Sequence, residues 1–310
     1  MPFDWYLRVE KNLFATYFVI PFKRRQGEKV SARHAGRRAS AYDISDIPEW
    51  TAKLLEEGCE IGVHGIDAWH STEKGRKELQ RVAEVSGICP KGIRMHWLLR
   101  DENTYRVLED AGYAYDSTAG YNETPGYRCG TTQVFRPLSA EKLFEIPMHI
   151  QDGALFFGDR LGLTQPEAWK QCEVFIGNAR KLSGVLTVLW HDRSPGPERF
   201  WDDCYLKLIE ELKALPVWFG TASQVVSWFR SRREVTFERA DTEDDASCVR
   251  LRGTGRRIEP ALNVRIYSGI NGHSQVTDIA WDGSNDFRPA LPAAVSSGGP
   301  REVSSLTRQV

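Results

Sequence analysis

The stretch Glu60-Ile61-Gly62-Val63-His64-Gly65-Ile66-Asp67-Ala68-Trp69-His70 decides the fold. Its apolar run, Ile61 to Val63, ends abruptly on two histidines and an aspartate. That pattern reads as a buried strand delivering ligand-type side chains to its carboxyl end. The layout recurs at Val185-Leu186-Thr187-Val188-Leu189-Trp190, which runs straight into His191-Asp192. Two buried strands ending in His/Asp clusters point to a site on the rim of a parallel sheet or barrel.

Outward from these strands, helix-like and strand-like segments alternate. The β-branched and aromatic run at 14–20 is a strand stopped by Pro21. Asp46 can cap a helix with Ile47, Trp50, Leu54 and Leu55 on its apolar face and Gly58 at its end. Further helices are expected at 72–85, 104–111, 167–182, 200–214 and 221–233. Further strands are expected at 92–96, 113–116, 143–148, 185–190 and 217–219. Repeated β-α units imply parallel strands with right-handed crossovers. About seven strands within residues 1–233 suit a barrel better than a small open sheet. Residues 234–285 alternate apolar and polar positions and read as a small β-rich extension, while Pro, Ala, Ser and Gly make 286–310 a disordered tail.

Composition sets outer limits. The 310 residues carry a net charge of −1, which gives no hint of a nucleic-acid partner. Cys59, Cys89, Cys129, Cys172, Cys204 and Cys248 are dispersed without a Cys-x-x-Cys, so free thiols in a reducing cytoplasm are expected. No secretory signal opens the chain, and no run approaches the ~20 apolar residues of a membrane span.

Four constellations stand at strand ends. His64, Asp67 and His70 combine imidazole and carboxylate and suit zinc or another divalent metal, or else are a capping acid and two surface histidines. Arg94, inside a short apolar strand, needs a carboxylate partner, whether to orient a catalytic acid or as a structural pair. Asp116 closes another strand, and the polar loop behind it carries Tyr121 and Arg128. His191, beside Asp192, is placed for proton transfer, or is a core histidine bonded to a carbonyl. No phosphate-binding glycine loop, Gly-x-Ser-x-Gly or His-Glu-x-x-His occurs.

Residues 60–70, 92–97, 115–118 and 189–192 resemble, in order, the later motifs of the NodB-homology polysaccharide deacetylases (carbohydrate esterase family 4). The resemblance spans about residues 10–233 and is closest to a subgroup with His-Gly-x-Asp-Ala-Trp, Arg-x-His-Trp and Trp-His-Asp-Arg-Ser. It implies an α/β fold, a distorted barrel of seven or eight β/α units. It also implies hydrolysis of an N-acyl or O-acyl group on a carbohydrate or lipid-linked sugar by a metal-activated water. On that pattern His64 is the first metal ligand and His191 the general acid. Arg94 orients the base, with Asp116 and Asp192 beside the site and Trp97, Tyr121 and Arg128 contacting substrate.

The chain departs from the pattern twice. The family's metal histidines stand four apart, and position 68 is Ala, so the second ligand falls to Asp67, His70 or a remote residue such as His96. The family also opens with a strand ending in two aspartates, whereas residues 1–13 read here as a helix carrying Trp5, Leu7, Val9 and Leu13. The expectation is therefore a truncated barrel lacking its first strand, with an open edge on the 14–20 strand. Two rival functions follow: a non-catalytic saccharide-binding descendant, and a small-amide amidohydrolase.

Overall fold

The computed structural model describes residues 2–29, 37–239, 249–253, 258–270, 273–281 and 283. The chain divides into two units, residues 1–226 and 227–310. The tail expected at 286–310 lies outside the described residues.

The first unit opens with α1 (Pro2–Val9), then β1 (Thr16–Val19), a 3-10 turn (Ile44–Asp46), α2 (Pro48–Glu56) and β2 (Glu60–Gly65). There follow α3 (Thr72–Ser86), β3 (Gly92–Met95), α4 (Thr104–Ala111), β4 (Tyr115–Asp116) and β5 (Phe144–Glu145). Strands β1 to β5 form one parallel sheet in sequential order. A separate parallel pair joins β6 (Ile150–Gln151) to β7 (Val188–Leu189). The short α5 (Asp152–Phe156) and the long α6 (Gln165–Leu182) lie between them, and α7 (Asp202–Lys213) and α8 (Ala222–Glu234) follow.

Local chemistry explains most boundaries. Ser71 accepts the N–H of Lys74 at the start of α3, and Gly87 takes φ 72° after its last residue, a conformation cheap only without a Cβ. The acid expected to cap α2 works one turn earlier: Asp43 caps the 3-10 turn, and Asp46 reaches back to the Asp43 N–H. Gly92 is required by close approach, because a Cβ there would sit 1.8 Å from the Tyr115 ring. Among the described residues of this unit, the apolar side chains gather into clusters. Ile61, Val63, Ile93 and Met95 pack with Leu54, Val82 and Leu108 of α2, α3 and α4. Ile150 and Leu155 pack with Cys172 of α6 and Leu208 of α7. Each fully buried Leu, Ile or Val contributes about 1.5–3 kcal/mol over an exposed one.

The barrel expectation is met only in part. The described strands of the first unit form a five-stranded sheet and a pair, with no hydrogen-bonded closure among them. The break after β5 has a cause: Phe135 exchanges both backbone hydrogen bonds with Glu145, occupying the edge another strand would need. β1 is the other edge of the sheet. The strand expected at 217–219 is absent; Val217 bonds back to Leu215 in a turn, and Trp218 is 41% exposed.

The second unit is antiparallel. β8 (Thr236–Arg239) pairs with β9 (Val249–Arg252), and β10 (Asn263–Ile270) with β11 (His273–Ala280). Leu251, Ile258, Val264 and Trp281 make its small core. Among the described residues, no helix is long and apolar enough to cross a membrane.

Candidate active site

β2 and β3 run side by side with His64 opposite Arg94, and the chain leaving β3 turns at once through His96. The His64 Nδ1–H donates to the Arg94 carbonyl at 2.9 Å, and the His96 Nε2–H donates to the Arg38 carbonyl at 2.9 Å. A carbonyl oxygen only accepts, so both protons are fixed by their partners. The remaining nitrogens, His64 Nε2 and His96 Nδ1, face each other at 3.0 Å. In two neutral rings both would present lone pairs. A shared proton would join them, but the surroundings oppose it. Burial, then His96 and His191, hold His64 well below the usual histidine range. Burial, then Arg38, lowers His96 to about 4.

Two converging imidazole lone pairs, each backed by a carbonyl on the far nitrogen, are the donor set that suits a divalent first-row metal. The residues therefore fit the metal that the resemblance implies, with His96 as the second imidazole. Among the described residues, no group of three or more His, Cys, Asp or Glu side chains is arranged around an ion.

Asp67 and His70, the other ligand candidates, are turned to a different task. Asp67 Oδ1 accepts the Glu28 N–H at 2.8 Å and stands 3.5 Å from His70 Nε2, and Lys74 is 3.5 Å from the second oxygen. Behind them the carboxylate of Glu78, on α3, accepts the N–H groups of Ile66 and Asp67 at 2.9 and 2.7 Å. Burial raises the Glu78 pKa to about 7 against the pull of those two bonds. These groups brace the turn leaving β2, and neither Asp67 nor His70 joins the His64 ring.

His191 follows β7. Its Nδ1 lies 2.6 Å from Asp152 Oδ1, its backbone N–H donates to Oδ2 at 2.8 Å, and the Ser194 hydroxyl donates to Oδ2 as well. Asp152, the first residue of α5, is fully buried. Burial alone would lower the His191 pKa; the charge and hydrogen bond of Asp152 outweigh it and raise it. Burial would raise Asp152, and His191 and the donors around it pull it below the carboxylate range. Positive charge on His191 disfavours the protonated forms of His64 and His96. The expected neighbour acid, Asp192, instead accepts the Tyr42 hydroxyl at 2.6 Å, and the Tyr6 hydroxyl holds the His191 carbonyl at 2.6 Å. Asp152 was missed by sequence reasoning, although Met148-His149-Ile150-Gln151-Asp152 repeats the strand-then-acid layout seen elsewhere.

The remaining candidates make their own contacts in the neighbouring strands and loops. Arg94 finds a hydroxyl and a carbonyl rather than the expected carboxylate: it donates to Ser117 O at 3.0 Å and Ser117 Oγ at 2.8 Å and stacks 4.5 Å from the Phe18 ring centre. Burial lowers its pKa to about 10. Asp116 is fully buried opposite Glu145, and none of its hydrogen bonds reaches the imidazoles. Trp97 takes φ 65°, and its carbonyl accepts Asn122 Nδ2 at 2.9 Å. The Tyr121 carbonyl accepts Gln151 Nε2 at 2.6 Å, and Arg128 lies over the Tyr121 ring at 5.8 Å. Asn122 and Gln151 thus tie this loop to the residues following His96 and preceding Asp152.

Among solved structures, the fold is similar to one assigned as a polysaccharide deacetylase from Mycobacterium smegmatis. The TM-score is 0.54 at 21% identity, covering 75% of this chain and 78% of that one. Weaker likenesses include the Xyl-CE4 domain of a multidomain xylanase from the hindgut metagenome of Trinervitermes trinervoides, with TM-score 0.39, 14% identity and coverage of 73% and 83%. A CE4 family pseudoenzyme from Bacillus anthracis has TM-score 0.38, 9% identity and coverage of 73% and 60%. No protein-family model and no curated protein matches the sequence.

Proposed function

From the premise that this chain has the fold of the NodB-type polysaccharide deacetylases, we propose that it hydrolyses a non-peptide carbon–nitrogen bond, removing an N-acyl group from a carbohydrate. One observation carries the reading: His191, bonded to the buried Asp152, is held toward its charged form, while the paired His64 and His96 imidazoles are held neutral. Environments that push two titratable groups apart divide acid from base roles.

His191 is the acid. Asp152 fixes its Nδ1–H and favours the imidazolium, leaving Nε2–H to protonate the amine as the C–N bond breaks. Water adds to the acyl carbon as the C–N bond breaks, giving carboxylate and amine; without that proton the departing nitrogen would be an anion too basic to leave. His64 and His96 would hold a divalent ion, which when bound acts as a Lewis acid on the acyl group. Ser194 and Tyr6 keep the Asp152 carboxylate and the His191 backbone in place, so little reorganisation is needed as the proton moves. Trp97, Tyr121 and Arg128 would offer ring faces and a guanidinium to a sugar.

The test is acetate release from N-acetylated chito-oligosaccharides with added zinc or cobalt. Release by wild type and its loss in His191→Ala would support the reading. Saccharide binding with no release from any N-acyl sugar would replace it with a non-catalytic binding role.

A further inference from the structure

Beside the His191–Asp152 pair, two arginines flank one aromatic ring. Arg199 lies 5.2 Å and Arg160 5.3 Å from the centre of the Phe157 ring. Arg199 also lies 4.9 Å from the Trp201 ring, which stacks on Phe156 at 5.2 Å. Both arginines are half-buried. Arg199 Nη1 is 3.5 Å from the Ser194 hydroxyl, itself a donor to Asp152. Arg160 stands over the start of α5: a methyl group on Gly153 would be 2.8 Å from its Nη1.

The acids nearby are already committed. Asp152 serves His191 and Ser194, Asp192 accepts from Tyr42, and Glu198 pairs with Arg193. Among the described residues, neither Arg160 nor Arg199 is ion-paired to a carboxylate. Arg160 and Arg199 thus place two guanidinium groups over the Phe157 ring, and Arg199 also reaches Ser194 beside the His191–Asp152 pair. Such an arrangement is stabilised when an anion enters, and the planar guanidinium fork matches a carboxylate or phosphate with two parallel bonds.

We propose that Arg160 and Arg199 form an anion subsite beside His191, and that the sugar substrate carries a negatively charged group, a carboxylate or a phosphate. The proposal deepens the deacetylase reading by naming its substrate class, and it rests on that reading. The aromatic faces of Phe157 and Trp201 limit the arginines' rotamers, so less side-chain freedom is lost on binding than for two open surface arginines.

Binding is measured by calorimetry on the full chain with D-glucuronate, D-glucose 6-phosphate and neutral D-glucose. Variants are Arg199→Gln, Arg160→Gln and the double variant, each checked for folding by circular dichroism. At least one charged sugar should bind tenfold or more tightly than glucose, and the preference should vanish in the double variant. The tighter of the two charged sugars identifies carboxylate or phosphate as the group. Equal binding of all three sugars, or a preference that survives in a folded double variant, overturns the subsite. Because binding is read without turnover, failure here with acetate release intact sinks only the subsite. A charge preference without acetate release sinks only the catalytic reading.

Discussion

At the scale of single residues, the site rests on which nitrogen carries which proton. The Arg38 and Arg94 carbonyls fix the outer protons of His96 and His64 and leave two inner lone pairs facing at 3.0 Å. Zinc binding is therefore expected to fall at least about tenfold in His64→Ala and His96→Ala, and to change little in Asp67→Asn and His70→Ala. Zinc titration of the four variants against a competing chelator checks this; loss in Asp67→Asn with retention in His96→Ala would return the ligand role to Asp67. His191→Ala should lower turnover by about 10²–10⁴-fold, the usual contribution of a positioned acid. The acid form of His191 must persist, so activity should decline as pH rises through its raised pKa. Asp152→Asn removes what raises it, and the alkaline limb should then move to lower pH. A limb that stays in place would mean another group titrates. The sequence marks His64 and His191 as candidates because each ends an apolar run. Their partners were harder to read: His96 was only one of several options and Asp152 was missed, since pairing between strand ends is set by how the strands dock.

Among the elements, legibility followed local chemistry. The helix at 104–111 matches its expected bounds, and α3 runs one residue further than read, because apolar spacing and the glycines at 87 and 112 mark them. β6, only two residues long, gives no period to read. The 217–219 run looked like a strand by composition, but it has no neighbouring strand to pair with. The turn after β2 depends on a residue that sequence reasoning passed over, Glu78 on α3. Glu78→Ala strips two buried N–H groups of their acceptor and should destabilise the chain by about 2–4 kcal/mol. It should also lower activity, since the same turn follows His64. Urea unfolding reads the first effect, and a midpoint within error of wild type would show that water replaces the carboxylate.

Over the whole molecule, the sheet carries a buried acid pair that links stability to pH. Asp116 and Glu145 lie in register on β4 and β5, both fully buried, each with one oxygen lacking a hydrogen-bond donor. Burial raises both above the carboxylate range, Asp116 to about 6. The folded chain thus holds protons that the unfolded chain releases. That stability is fully present below the unfolded values near 4 and is lost as pH climbs through about 6. Glu145→Gln should flatten the decline by on the order of 1–3 kcal/mol, read from urea midpoints at pH 4.5 and 7.5. Parallel slopes for variant and wild type would place the proton elsewhere. The five-stranded sheet was foreseen as part of a barrel; its interruption at Phe135 was not, because a single bridging residue leaves no periodic trace. One more consequence comes from α1, whose Tyr6 holds the His191 carbonyl and whose last residue, Val9, accepts a bond from Lys213, 204 positions on. On a ribosome adding ~5–20 residues per second, this helix waits roughly 10–40 s for the partners of its apolar face. During that interval Trp5 and Tyr6 lack the side chains they later pack against, and the candidate site is among the last parts of the nascent first unit to take shape.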